Sequence, residues 1–105
     1  MILSTPTNGS ENVSITPTIS LKFSEAIDQN SIGSALTLTN GPVGSVILQS
    51  YDDVTFTALY NISGLNKNII YTASVSNVKD IAGNLINPNP KSFTFKTTPT
   101  YALIY

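Results

Sequence analysis

Hydrophobic and polar residues alternate along most of the chain with the period of two that turns one face of a β-strand toward a core. The clearest example is the run of residues 18–24, in which Ile19, Leu21 and Phe23 alternate with threonine, serine and lysine. This pattern is typical of a half-buried antiparallel strand. A helix, which needs a period near 3.6, is not indicated there.

Five further segments have the same alternation, and each predicts a strand whose apolar residues point inward: Leu36 and Leu38; Val46 and Leu48; Val54 and Phe56; Tyr71, Ala73 and Val75; Phe93 and Phe95. An earlier strand is expected near Val13 and Ile15. Glycine, asparagine and aspartate, which favour turns, separate these segments. Only residues 24–35 interrupt the pattern, and there Ser24 is expected to cap a single helical turn between two sheets.

Short strands at this spacing predict an all-β fold, an immunoglobulin-like β-sandwich of about seven antiparallel strands in two sheets. A chain of 105 residues is long enough for one such domain with its own core. We expect residues 1–100 to form this domain. Residues 101–105 are then a linker or the start of a following domain.

Tyr71 is a candidate for a tyrosine corner. Leu65 lies six residues before it, and a turn-forming Asn-Lys-Asn segment separates the two where a sandwich passes from its fifth to its sixth strand. In a tyrosine corner the ring packs in the core while the hydroxyl group bonds a backbone group a few residues upstream. An ordinary core tyrosine is the alternative.

Composition excludes several functional classes. All five basic residues are lysines and the net charge is -1, so no basic stripe is available to follow a nucleic acid backbone. The chain has no cysteine and no histidine, which removes the usual zinc ligands, the common nucleophile pairs and the commonest general base. No apolar run is long enough to span a membrane. We therefore expect no nucleic acid partner, no cofactor, no membrane insertion and no enzymatic activity.

The segment "VKDIAGNLINP", residues 78–88, crowds polar side chains around one glycine. As a turn, it needs no ligand. The Asp80 carboxylate would accept hydrogen bonds from the amides of Ala82 and Gly83, Gly83 would take a positive φ, and Asn84 would close the turn with its side-chain amide.

A calcium site is the alternative for this segment. Asp80 and Asn84 supply oxygen atoms, and Glu25 and Asp28 follow the predicted strand of residues 18–24, in a loop that should lie at the same end of the sandwich. Calcium usually draws several carboxylates from one short loop, whereas these are scattered along the chain. The turn is therefore the preferred interpretation, and no metal is expected.

The ordered motifs "TPTNGSENVSITPTISLKFSEAID", "VTFT", "LNKNIIYTASV", "VKDIAGN" and "FTFKT" resemble the bacterial Ig-like domains of the SbsA-like (Big_5) type over residues 4–98. The chain departs from the family pattern at Ala58, where proline is usual, and at Asn68, where glycine is common. The resemblance implies a seven-stranded sandwich of a kind that recurs, often in tandem, in surface-layer proteins, adhesins and secreted enzymes.

The expected function is that of a non-catalytic spacer in an exported bacterial or archaeal protein, located outside the cell or at its surface. Its partners would be neighbouring domains of the same chain, and the isolated domain would be monomeric. The sequence "STPT" at residues 4–7 recurs as "TTPT" at residues 97–100, as expected for one unit of a tandem array. The alternatives are an adhesive module that binds a glycan or a host protein, and an accessory domain of a secreted enzyme.

Overall fold

The structure is a computed structural model that describes residues 3–86 and 89–99. Within these residues eight strands form two four-stranded sheets: β1 (Leu3–Thr5), β2 (Ser10–Val13), β3 (Thr18–Lys22), β4 (Leu36–Thr39), β5 (Ser45–Asp52), β6 (Thr57–Ser63), β7 (Ile70–Val75) and β8 (Lys91–Thr97). One sheet has the order β1-β3-β6-β5 and the other β2-β8-β7-β4. The predicted immunoglobulin-like sandwich is confirmed, with one strand more than expected.

The additional strand arises because the first segment of the chain divides between the two sheets. β1 pairs with β3, and the chain then crosses to the other sheet, where β2 pairs with β8. Gly9 holds this crossing in place, with a φ of 81° and an amide that donates to the Thr94 carbonyl at 2.7 Å. The β2 and β8 strands run parallel, whereas the other five pairs are antiparallel, so the expectation of wholly antiparallel pairing is wrong for this pair.

The inward positions of five strands form most of the core. Burial follows the period of two, and the buried apolar residues of these strands are Ile19 and Leu21 in β3, Leu36 in β4, Ala58, Tyr60 and Ile62 in β6, Tyr71, Ala73 and Val75 in β7, and Phe93 and Phe95 in β8. The rings of Tyr71 and Phe95 stack with their centroids 5.8 Å apart. Because each large apolar side chain that is fully buried contributes about 1.5–3 kcal/mol, this alternation is the main source of stability.

The hairpin between β5 and β6 corrects one predicted strand. Residues 53–56 form its turn, and Val54, which was expected to point inward, is 81% exposed. The Asp52 carboxylate accepts hydrogen bonds from the amides of Val54 (2.8 Å) and Thr55 (3.3 Å), which holds the backbone in a turn. The "VTFT" segment has the alternation of a strand, but the strand itself begins at Thr57.

The segment between β3 and β4 contains one turn of 3-10 helix, Gln29–Ser31. Its cap is Asp28, whose carboxylate accepts a hydrogen bond from the Asn30 amide at 3.0 Å, so the expected cap at Ser24 is wrong. Directly after this turn, the buried Ile32 carbonyl accepts a hydrogen bond from the Tyr60 hydroxyl at 2.6 Å. Burial of that hydroxyl raises the pKa of Tyr60 to about 12.

The chain enters and leaves the sandwich at opposite ends. Leu3 lies opposite Lys22, at the end where β8 begins; we call this the entry end, and it includes the 53–56 turn and the 78–86 hairpin. At the exit end the Val13 carbonyl accepts a hydrogen bond from the Thr98 amide at 2.8 Å. The seven residues of β8 span about 20 Å between the two ends, at about 3.4 Å per residue.

Candidate functional site

Residues 78–86 form a small hairpin whose polar groups bond one another. The amide of Asp80 donates to the Asn84 carbonyl at 2.8 Å, and the amide of Gly83 donates to the Asp80 carbonyl at 3.0 Å. Gly83 has a φ of 89°, the backbone conformation that the turn interpretation required. Because glycine has no Cβ atom, it adopts this conformation without steric cost.

Two details of that turn differ from the sequence prediction. The Asp80 carboxylate accepts its hydrogen bond from the amide of Asn84 at 2.9 Å, rather than from Ala82 or Gly83. Asn84 closes the turn with its backbone carbonyl, not with its side-chain amide. The amide that bonds the Asp80 carboxylate lies four residues after it, whereas the predicted amides lie two and three residues after it.

The four calcium candidates lie on loops that do meet at the entry end. Ile27 forms a bridge with Asp80, and the amide of Asp28 donates to the Lys79 carbonyl at 2.8 Å. One oxygen atom of each carboxylate, Asp28 and Asp80, already accepts a backbone hydrogen bond, and Glu25 is exposed. In the described part of the chain, no three acidic residues gather around one position where an ion could bind.

A shallow depression beside this hairpin has only polar residues in its lining: Asp28, Asn30, Ser31, Ser34, Asn77 and Lys79. Several of these polar groups already form hydrogen bonds with one another. The Ser31 hydroxyl donates to the Asp28 carbonyl at 2.6 Å and accepts from the Lys79 amide at 3.0 Å. The Lys79 ammonium group opposes a cation at this position, because like charges repel strongly at short distance.

Tyr71 makes the backbone contact that defines a tyrosine corner. Its hydroxyl accepts a hydrogen bond from the amide of Asn66, five residues upstream, at 2.9 Å. The same hydroxyl donates to the carbonyl of Pro42 at 2.6 Å. The Pro42 contact joins a second loop to the corner, and no local sequence signal indicates it because the two residues lie 29 positions apart.

Thr97 completes this corner, a role that no local sequence pattern indicates. It is the one polar residue that is fully buried among those described. Its hydroxyl donates to the Asn66 carbonyl at 2.7 Å and accepts from the Ile69 amide at 3.0 Å. Asn68, with a φ of 59°, takes the left-handed conformation that glycine would also permit. The loop between β6 and β7 is therefore fixed by side chains of β7 and β8.

Asp52 and Asp53 lie at the tip of the β5–β6 hairpin. Hydrogen bonds from the backbone amides of Val54 and Thr55 hold the pKa of the Asp52 carboxyl below its ordinary value of 3.8. Both aspartates are exposed to solvent. An exposed turn of this kind lacks the enclosed cleft in which two carboxylates act on one substrate.

Two further surface features bear on function: the exposure of aromatic side chains and the presence of membrane-spanning helices. Every aromatic side chain of residues 3–86 and 89–99 is buried or partly buried. In the same residues, no helix has the length and hydrophobicity to cross a bilayer. Tyr101 and Tyr105, and the other residues of the 101–105 segment, lie outside the described part of the chain.

The family model Big_5, described as "Bacterial Ig-like domain", matches residues 1–97. No curated protein matches the chain. Domains of this family are typically structural modules of surface or extracellular proteins, and they are generally not catalytic. The match covers most of the 105 residues and agrees with the sandwich described above. The chain belongs to the bacterial Ig-like domain family.

Proposed function

We propose that the chain is a spacer module, one unit of a tandem array in an exported bacterial or archaeal protein. It would hold neighbouring domains of the same polypeptide apart, outside the cell or at its surface. It would need no cofactor, and no residue would take part in catalysis. The proposal combines the family's usual role with the geometry of this sandwich.

The position of the entry and exit ends is the observation that carries this proposal. Because β2 and β8 are parallel neighbours, the chain arrives beside Lys91 and departs beside Val13, about 20 Å away along the strands. Units joined in this way extend head to tail, and each adds its length to the array. Pro99, two residues after the end of the last strand, would stiffen the connection.

The state of the polar loops favours a spacer over an adhesive module. Glycan sites commonly use exposed aromatic rings, whereas the described aromatics are buried or partly buried. At the entry end, the polar groups of the 78–86 hairpin and of the 3-10 turn bond one another. A ligand would have to compete with these internal hydrogen bonds.

Small-angle X-ray scattering on two copies of the 105-residue chain joined in series tests the proposal. We expect the maximum dimension to exceed that of the single chain by about one domain length, with a scattering profile typical of an extended rod. A matched protein with a long glycine-serine linker between the copies should give a broader distribution of distances. A compact two-domain particle would contradict the spacer function.

Deletion of residues 101–105 tests where the unit ends. If this segment belongs to the next domain or to a linker, its removal should change the free energy of unfolding by less than about 1 kcal/mol. A larger loss would mean that the segment is an integral part of this domain. The proposed repeat of "STPT" and "TTPT" would then lose its main local support.

A further inference from the structure

β5 differs from the other three edge strands of the sandwich. The edges β1, β2 and β4 have three or four residues each, whereas β5 has eight. One side of β5 pairs with β6, and the other side is the edge of its sheet. Alternate residues of an edge strand direct their N–H and C=O groups away from the sheet, where another strand can pair with them.

The first half of β5 has none of the features that usually protect an edge. Residues 45–51 are "SVILQSY", with no charge and no proline. Ile47 is 59% exposed on the outer face, opposite the exposed Asn61. A register shift beside Gln49 and the charge of Asp52 disturb only the second half. The segment Ser45–Leu48 is therefore an uncharged and regularly paired part of the longest edge strand among those described.

We propose that β5 pairs with β5 of a second copy of this chain. The pairing is antiparallel and is centred on Ile47, so that the two sheets join into one. Directly opposed residues in an antiparallel pair lie on the same face of the sheet. The register must therefore place outward-facing residues of one copy opposite outward-facing residues of the other, and inward-facing residues opposite inward-facing ones.

A centre at Ile47 satisfies this condition. Ile47 meets its counterpart on the outer face, and Val46 meets Leu48 on the inner face. Val46 and Leu48 already pack against the core of their own domain, so their pairing extends that core at its rim. The apolar contact also covers Ile47, which is otherwise among the most exposed large apolar residues.

The charges of β5 tolerate this register. Asp52 would lie opposite Pro42 of the second copy, so the two carboxylates stay at opposite ends of the interface. Because the same strand is used by both copies, the contact closes at two chains and cannot extend into a fibre.

The interface has few residue pairs, so a single pair of domains would associate weakly. In a tandem array, which is the proposed function, several such contacts between two stalks that lie side by side and run in opposite directions would reinforce one another. The pairing itself does not rest on that function, and it is tested on the single 105-residue chain.

Sedimentation equilibrium from micromolar to millimolar protein, on the chain and on two glutamate variants, is the first test. Ile47→Glu places two like charges directly opposite each other, and dimer formation should weaken by at least about tenfold. Ile70→Glu is the matched control, because Ile70 is 58% exposed and lies on a central strand, β7. This variant should dimerise like the unmodified chain. A monomer at millimolar concentration, assemblies larger than a dimer, or equal loss in both variants would overturn the proposal.

Single-cysteine variants test the register, since the chain has no cysteine of its own. In the proposed pairing the two Ile47 Cα atoms lie about 4.5–5.5 Å apart, within the range that a disulfide permits. Ile47→Cys should therefore oxidise to a linked dimer. Ser45→Cys faces residue 49 of the other copy, and Ile70→Cys lies away from the interface, so both should link much more slowly. Equal linking of all three variants would contradict the register and with it the proposal.

Discussion

Three tyrosines allow the energetics of this sandwich to be tested with one kind of substitution. Each Tyr→Phe change removes a single hydroxyl group, and the structure gives the three hydroxyls different surroundings. The Tyr71 hydroxyl makes two backbone hydrogen bonds, the Tyr60 hydroxyl makes one, and the buried Tyr51 hydroxyl makes none among the described residues. The change in stability should depend both on the number of these bonds and on the burial of the groups that lose a partner.

For Tyr71→Phe we expect a loss of about 1–2 kcal/mol, because the Pro42 carbonyl and the Asn66 amide both lose their partner. Both residues are exposed, so water can replace part of the lost bonding. Tyr60→Phe should cost a similar amount through its single bond, since Ile32 is fully buried and its carbonyl would stay without a partner. Tyr51→Phe should cost nothing, because it removes a buried hydroxyl without a partner.

Urea denaturation followed by far-ultraviolet circular dichroism is the appropriate assay, because tyrosine fluorescence would itself change in these variants. With a total stability of about 5–15 kcal/mol, a loss of 1–2 kcal/mol shifts the midpoint measurably and leaves the m-value unchanged. An unchanged midpoint for Tyr71→Phe would mean that its two hydrogen bonds add nothing to stability. A loss for Tyr51→Phe as large as that for Tyr71→Phe would refute the reasoning from hydrogen bonds altogether.

The other predictions concern the turns. Gly83→Ala should destabilise the domain by about 1 kcal/mol through its φ of 89° alone, because a Cβ atom there meets no neighbour. Gly33→Ala, which is equally open but has no positive φ, should be neutral or slightly stabilising in the same denaturation assay. Asp80→Ala should cost about 0.5–1 kcal/mol equally with calcium and with chelator, whereas a melting temperature that rises several degrees with calcium would contradict the turn interpretation. The Asp52 carboxyl has a lowered pKa, so the stability that it contributes is present at neutral pH and is lost as the pH falls from 3.8 through the lower folded-state value. In Asp52→Asn the free energy of unfolding should therefore fall less steeply as the pH drops below 3.8. An unchanged pH dependence would contradict the lowered pKa of Asp52.

The strands that the sequence predicted well are those in which one face packs on the core and the other faces solvent. In β3 and β7 each inward position is apolar, in β8 each is apolar except Thr97, and the outward positions are mostly polar, so the alternation records the burial directly. The "VTFT" segment has the same alternation for another reason. There the Asp52 side chain bonds two following amides and turns the chain, so Val54 faces solvent. Periodicity alone cannot distinguish these two cases.

The candidate sites divide in a similar way. The contact between Tyr71 and Asn66 is local, and the spacing of the tyrosine after a turn predicts it. The contacts from Tyr71 to Pro42 and from Thr97 to Asn66 join residues 29 and 31 positions apart, and they depend on how the two sheets are stacked. A threonine in an alternating strand has the same local pattern whether it is solvated or buried, so Thr97 could not be singled out from the sequence.

The division of the first segment between the two sheets also determines how the proposed spacer would respond to tension. Force applied at the two ends reaches β2 through β1, which pairs with β3, and it pulls β2 toward the entry end and β8 toward the exit end. Their contacts include the bonds from Gly9 to Thr94 and from Thr98 to Val13, which lie at opposite ends of the pair. Force along the strands loads such bonds together, whereas force across a hairpin breaks them one after another. A split first strand would therefore give the proposed spacer a resistance to pulling that a wholly antiparallel arrangement, with both chain ends on one side, would lack.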